Sequence, residues 1–78
     1  MPFYVYVLGS VKNGLRKTYV GWTNNLIKRL NKHNCGKGAK STRGRKWKII
    51  YSKKYNSKKE VMSQEYYFKR NRKFRKYI

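Results

Sequence analysis

Acidic residues are almost missing from this sequence: Glu60 and Glu65 are the only two among 78 residues, against 22 Lys and Arg, for a formal net charge of +20. So much like charge repels itself in the free compact state, and a polyanionic partner is the first expectation. Cysteine is nearly absent too. Cys35 alone can form neither an internal disulfide nor a thiolate zinc cluster, which fits a reducing cytoplasm. Long apolar runs are lacking: the stretch from Phe3 to Gly9 is far below the roughly 18 residues of a spanning helix, and no basic segment precedes it as in a secretory signal. No membrane partner and a cytoplasmic location are therefore expected. Length is also short, and a chain of this size supports one core, so residues 1–78 are expected to form a single domain. Aromatics at 17% and hydrophobics at 38% are too many for a merely solvated tail.

What is present alternates in a readable order. Phe3-Tyr4-Val5-Tyr6-Val7-Leu8 and Thr18-Tyr19-Val20 read as strands, with Asn13-Gly14 as a two-residue hairpin turn between them. That turn sets Tyr6 opposite Gly21, Val7 opposite Val20, Leu8 opposite Tyr19 and Val5 opposite Trp22, with open space expected across from Tyr6. Val5, Val7, Val20 and Trp22 then share one face, and Tyr6, Leu8, Tyr19 and Gly21 the other. A helix capped by Thr23 or Asn24 should bury Leu26, Ile27 and Leu30 and stop at Gly36. A basic glycine-rich loop to Arg45 follows, then a strand from Trp47 to Tyr51 with Ile49 sharing their face. Ser57-Lys58-Lys59-Glu60 reads as a capping box opening a second helix, with Val61, Met62, Glu65, Phe68 and Lys69 on one side. The tail from Lys69 to Lys76 has Phe74 and Tyr77 as its expected anchors. The pattern is β-β-α-β-α, an α+β class with a small three-stranded antiparallel sheet flanked by helices.

Several side chains stand out chemically. Glu60 is explained by its cap, which leaves Glu65 on an apolar helix face, either paired with Lys69 or a nearby Arg, or holding a cation such as Mg²⁺, which keeps waters and takes other ligands from substrate phosphate. Arg29 and His33 lie four apart on one helix flank and can reach one target together. Arg suits charge building on a phosphoryl group, and His suits proton transfer near neutral pH. Tyr6 and Tyr19 have ordinary sheet packing as their default explanation.

Taken in order, Tyr4-Val5-Tyr6, Tyr19-Val20-Gly21, Arg29, His33 and Glu65 resemble the GIY-YIG endonuclease superfamily, particularly its small stand-alone members. The resemblance spans nearly the whole chain and includes the run from Asn34 through Lys40 and Thr42-Arg43-Gly44-Arg45. It implies a metal-dependent endonuclease that hydrolyses a phosphodiester with an in-line water. Tyr6 and Tyr19 would be active-site tyrosines, Arg29 the phosphate contact, His33 a proton-transfer partner, and Glu65 the carboxylate holding one Mg²⁺ or Mn²⁺. The sequence departs from the family pattern where Tyr4 replaces the usual glycine and Trp47 a common proline. Trp22 stands where several relatives place a lysine, a role that would pass to Lys17 or Lys28. Lys37, Lys40, Arg43 and Arg45 are expected to follow phosphates without reading bases, favouring shape or junctions over sequence. The expected partner is nucleic acid, DNA ahead of RNA, with a separate protein supplying the target. The rivals are a non-catalytic nucleic-acid-binding module of the same fold and a ribosome-associated basic protein.

Overall fold

The computed structural model describes residues 2–71, 73 and 74. Strand β1 (Phe3–Lys12) and strand β2 (Leu15–Thr23) form the antiparallel hairpin that the β-branched and aromatic runs predict. Asn13 and Gly14 turn it with φ of 54° and 77°, the left-handed pair that matches the twist of the flanking strands. The register follows from that turn: Tyr6 faces Gly21, Val7 faces Val20 and Leu8 faces Tyr19. Strand β3 (Lys48–Tyr55) joins the other edge of β1, also antiparallel, giving the order β2-β1-β3.

With β1 in the middle, its residues from Val5 to Ser10 are buried between both faces, while Val11 and Lys12 run on into solvent. Val5, Val7 and Val20 pack with Val61 and Phe68 on one side; Tyr6, Leu8 and Trp47 pack on the other with Tyr19, Leu26, Leu30 and Ile49. The third strand departs from expectation. Trp47 precedes it, the strand runs to Tyr55, and Tyr51 lies on the opposite face from Ile49. The cause is a bulge: Leu8 pairs with Ile49 and Val7 with Tyr51, so Ile50 is an extra residue and the alternation slips by one.

Helix α1 (Leu26–Asn34) is capped by Asn25, whose Oδ1 accepts from Lys28 N–H at 3.1 Å. Thr23, an expected cap, instead makes the preceding turn by accepting from Asn25 N–H at 3.1 Å. Ile27 is exposed, so the buried stripe of α1 is narrower than its apolar residues imply. Gly36 ends the helix at φ 81°, and Lys37 N–H returns to Lys32 C=O at 2.9 Å. Helix α2 (Lys58–Arg70) begins at Ser57, whose Oγ accepts from Glu60 N–H at 3.1 Å. It buries Val61 and Phe68 against the sheet, while Met62, expected on that side, is exposed. Phe74 anchors the following segment, its ring 5.0 Å from Tyr51 and 4.8 Å from Phe68. Tyr77, the other expected anchor, and the tail cations Arg72, Arg75 and Lys76 lie outside the described residues.

Candidate active site

The Tyr6 hydroxyl is the meeting point of two elements. Arg29 Nε donates to it at 3.3 Å, and it lies 3.0 Å from His33 Nε2, so the two α1 residues predicted to share a target share this one. The other imidazole nitrogen, Nδ1, lies 2.9 Å from Thr42 Oγ1. The hydroxyl of Thr42 donates its single proton to Ala39 C=O at 2.8 Å, so toward His33 it accepts. Nδ1 therefore carries the imidazole proton and Nε2 is the acceptor. The chain of donation runs from Arg29 to Tyr6, from Tyr6 to His33, from His33 to Thr42 and from Thr42 to Ala39. Tyr19 closes the group, its ring 4.8 Å from that of His33 and 6.4 Å from that of Tyr6.

Burial sets the protonation states. Desolvation pushes the Tyr6 phenol above its usual 10.0; the Arg29 hydrogen bond and charge oppose this, and Tyr19 and Glu65 add to it. Desolvation, reinforced by the Arg29 charge, lowers His33 below its usual 6.5. Arg29 is held even more firmly charged, first by its hydrogen bond to Tyr6. At neutral pH the arrangement is thus a guanidinium, a neutral phenol and a neutral imidazole whose unprotonated nitrogen accepts from the phenol and is backed by a buried donor–acceptor chain.

Two glycines make room for it. A Cβ on Gly21 would stand 2.5 Å from Tyr6 Oη, so the space expected to be open across from Tyr6 is filled by its own ring. A Cβ on Gly38 would likewise collide with the His33 imidazole. Thr42 is the residue that sequence reasoning passed over. It is fully buried, as is His33 (0% exposed each), although it lies in the loop read as basic and glycine-rich. Its position is fixed from outside the relay: Trp47 Nε1 donates to Thr42 C=O at 2.8 Å, and the Asn34 side chain bonds both Trp47 N–H and Trp47 C=O, at 2.6 and 3.1 Å. The signal available was the Thr42-Arg43-Gly44-Arg45 run within the resemblance.

Glu65 lies half-buried on α2 and pairs with Lys69 at 3.0 Å, so the structural partner weighed for it exists. Its charge nevertheless reaches Tyr6. Among the described residues no three His, Cys, Asp or Glu side chains cluster as a metal cage. The donor set therefore does not suit a cation needing several protein ligands. It fits Mg²⁺ or Mn²⁺, for which one carboxylate suffices when water and substrate phosphate supply the rest. Beside Arg29 a cleft of about 190 Å³ is lined by Thr23, Asn24, Asn25, Lys28, Arg29 and Lys32. Lys28, rather than Lys17, thus shares a cleft with Arg29. Trp22 packs at the valine core under the Lys58 ammonium, 5.7 Å from its ring centroid. Of the loop cations, Lys37, Lys40 and Arg43 are exposed. Arg45 is folded back, donating to Ser10 Oγ at 3.2 Å and Leu15 C=O at 2.9 Å. With Lys12 Nζ on Gly44 C=O at 3.1 Å, it ties the loop to the hairpin.

A β-β-α-β-α domain with tyrosines on paired strands, Arg29 and His33 on α1 and a carboxylate on α2 defines a class, and the comparisons agree. The chain belongs to the GIY-YIG family, whose catalytic-domain model matches residues 2–78. It is 48% identical to a UPF0213 protein of Clostridium perfringens over 86% of this chain and 70% of that one. A UPF0213 protein of Oceanobacillus iheyensis is 46% identical over 94% of this chain and 83% of the relative. The solution NMR structure of the UPF0213 protein from Bacillus halodurans covers 97% of this chain and 80% of its own, with a TM-score of 0.55 and 38% identity. These relatives form a small GIY-YIG branch, and the nuclease class implies nucleic acid as substrate. Among the described residues no helix is long and apolar enough to cross a membrane.

Proposed function

We propose that this chain is a metal-dependent endonuclease, a single domain over residues 1–78 that hydrolyses phosphodiester bonds in nucleic acid, DNA ahead of RNA. The observation that carries this reading is the buried relay from Arg29 through Tyr6 and His33 to Thr42, because a merely packed tyrosine does not require a fixed imidazole tautomer behind it. Arg29 holds the Tyr6 oxygen through Nε and has terminal N–H groups with which to take a phosphate oxygen. The attacking water gives its proton to the Tyr6 oxygen as Tyr6 passes its own to His33 Nε2, so no free phenolate has to form against the raised pKa. Tyr6 acts in this role rather than Tyr19 because its hydroxyl lies on the basic nitrogen of His33, whereas Tyr19 reaches Arg29 and packs its ring against the imidazole. His33 becomes imidazolium transiently, and the nearby Arg29 charge favours its return to neutral. The water oxygen bonds phosphorus in line, the bond to the opposite oxygen breaks with its electron pair going to that oxygen, which takes a proton from solvent, and the His33 proton returns to solvent by way of Tyr6. A Mg²⁺ or Mn²⁺ held by Glu65 would supply charge neutralisation at the phosphate and the leaving oxygen.

Lys37, Lys40 and Arg43 extend the contact along the backbone. Arg45 serves first to hold that loop, and a partner protein selects the target. The test is cleavage of branched DNA, single-stranded DNA and structured RNA, with Mg²⁺ and with EDTA, by the parent, Tyr6→Phe and Arg29→Ala. Metal-dependent cleavage by the parent should fall at least about 100-fold in each variant. Equal cleavage by all three would overturn the assignment and favour a binding module.

A further inference from the structure

The outward face of α2 carries a group of residues that the relay does not use. Lys59, Ser63, Tyr66 and Arg70 follow helical spacing along it, with Tyr67 beside them. Tyr66 and Tyr67 are 62% and 57% exposed, although two adjacent aromatic rings lose hydrophobic stabilisation by facing water. They are also held in place. Arg70 Nη1 donates to Tyr66 Oη at 2.9 Å, with the guanidinium carbon 5.4 Å from that ring's centroid. Asn71 Nδ2 donates to Tyr67 Oη at 3.3 Å, and the Tyr67 ring meets Phe68 edge-on at 5.6 Å and 71°. The hydroxyl ends are fixed from one turn further along the helix.

Beside these rings opens a groove of about 740 Å³, lined by Ser63, Tyr66, Tyr67, Arg70, Asn71 and Lys73. Its lining holds two cations and no carboxylate. Glu65, the neighbour of Tyr66, is neutralised by Lys69. Anchored aromatic faces flanked by cations suit a ligand offering flat π-surfaces and phosphates together. Duplex nucleic acid keeps its base faces stacked inside and could use only the cations. An acidic protein segment would use the cations and leave the rings unused.

We propose that Tyr66 and Tyr67 form a stacking platform for unpaired bases, with Arg70 and Lys73 on the adjoining phosphates, so that α2 carries a single-strand-binding site apart from the relay around Tyr6. The site needs neither metal nor hydrolysis, and it is tested without either. In EDTA, full-length parent and a Tyr66→Leu/Tyr67→Leu variant would be titrated with a labelled oligothymidylate, an abasic strand of equal phosphate number and a duplex of equal length. Stacking of one base predicts that the parent prefers the thymidylate over the abasic strand by roughly 5- to 150-fold. The double variant should lose that preference, bind duplex within about twofold of the parent, and melt within about 4 °C of it, because both side chains are largely exposed and leucine keeps apolar cover over Phe68. Tyr66→Phe/Tyr67→Phe, which keeps the rings, should retain most of the preference. A parent indifferent to the presence of bases, or a leucine variant that keeps the preference, would overturn the platform. Loss of cleavage in Mg²⁺ with the preference intact would overturn only the nuclease reading.

Discussion

Thr42→Val tests the relay at the point where sequence offers least guidance. Valine has nearly the same shape and no hydroxyl, so the change strands two groups: the buried His33 Nδ1–H, 2.9 Å from the lost oxygen, and the half-buried Ala39 carbonyl, 2.8 Å from it. Water can reach the carbonyl more easily than the ring, so most of the cost falls on His33, at about 1–3 kcal/mol for an unsatisfied buried donor. At ~4–8 °C per kcal/mol for a domain of this size, melting should drop by about 4–24 °C. The chemical consequence is separate. Without an acceptor at Nδ1 only the donation from Tyr6 to Nε2 still favours a proton there, and imidazole that moves its proton to Nε2 to escape the unsatisfied donor cannot accept from Tyr6. Single-turnover cleavage, measured well below the melting temperature, should fall by about 10²- to 10⁴-fold, the usual worth of a general base. Thr42→Ser keeps the hydroxyl and should stay within about tenfold of the parent. Imidazole nitrogen shifts in ¹⁵N NMR report the tautomer directly. A valine variant that keeps Nδ1 protonated and cleaves like the parent would refute the assigned direction of the relay.

Other perturbations read other parts of the site. Glu65→Gln should abolish cleavage to the level seen with EDTA, yet it should cost stability only ~0.5 kcal/mol, because its pair with Lys69 is a partly exposed i,i+4 contact; a large melting loss with cleavage retained would make Glu65 purely structural. Because the folded pKa of His33 lies below 6.5, the unfolded chain takes up the proton first as pH falls. Stability should therefore be level above pH 6.5 with respect to this group and decline below it, and the acid limb of kcat/KM should also lie below 6.5; pH-dependent melts of the parent and His33→Gln check the first and rate profiles the second. Tyr6 has the opposite sign: its raised pKa predicts stability lost as pH climbs above 10.0, by more in the parent than in Tyr6→Phe. Gly21→Ala places a methyl 2.5 Å from Tyr6 Oη, so it should destabilise by about 1–3 kcal/mol and slow cleavage by displacing the phenol; a silent alanine would show that the ring can move aside without loss.

The hairpin was legible because a two-residue Asn-Gly turn leaves one register open to it, and that register fixes which side chains share a face. The third strand was less so. One extra residue at Ile50 reverses the face of Tyr51, and nothing in the alternation of Trp47, Ile49 and Tyr51 announces a bulge, which is specified by the partner strand. Ile27 and Met62 failed for a related reason. Helical spacing identifies an apolar arc, but the width of the arc that is covered depends on the neighbouring element, and in so small a domain neither helix is fully wrapped.

The site divides along the same line. That Arg29 and His33 would reach one target follows from their four-residue spacing on α1, a local property of the helix. That the target is the Tyr6 hydroxyl follows from the hairpin register, since Gly21 opposite Tyr6 is what lets the phenol lie where both can touch it. Local geometry and strand pairing therefore suffice for three members of the relay. The fourth depends on the closure of a loop. Thr42 reaches His33 only because Asn34 grips the Trp47 backbone, Trp47 holds the Thr42 carbonyl, Arg45 and Lys12 sew the loop to the hairpin, and Gly38 yields space to the imidazole. These links combine short and long sequence separations, and those from Asn34, Arg45 and Lys12 use polar residues that composition assigns to solvent. In a chain of +20 charge that assignment is the natural one, so the loop reads as a phosphate-tracking strip. Its glycines and the buried Thr42 hydroxyl instead make it the wall that sets the imidazole proton, while Lys37, Lys40 and Arg43 keep the outer surface basic.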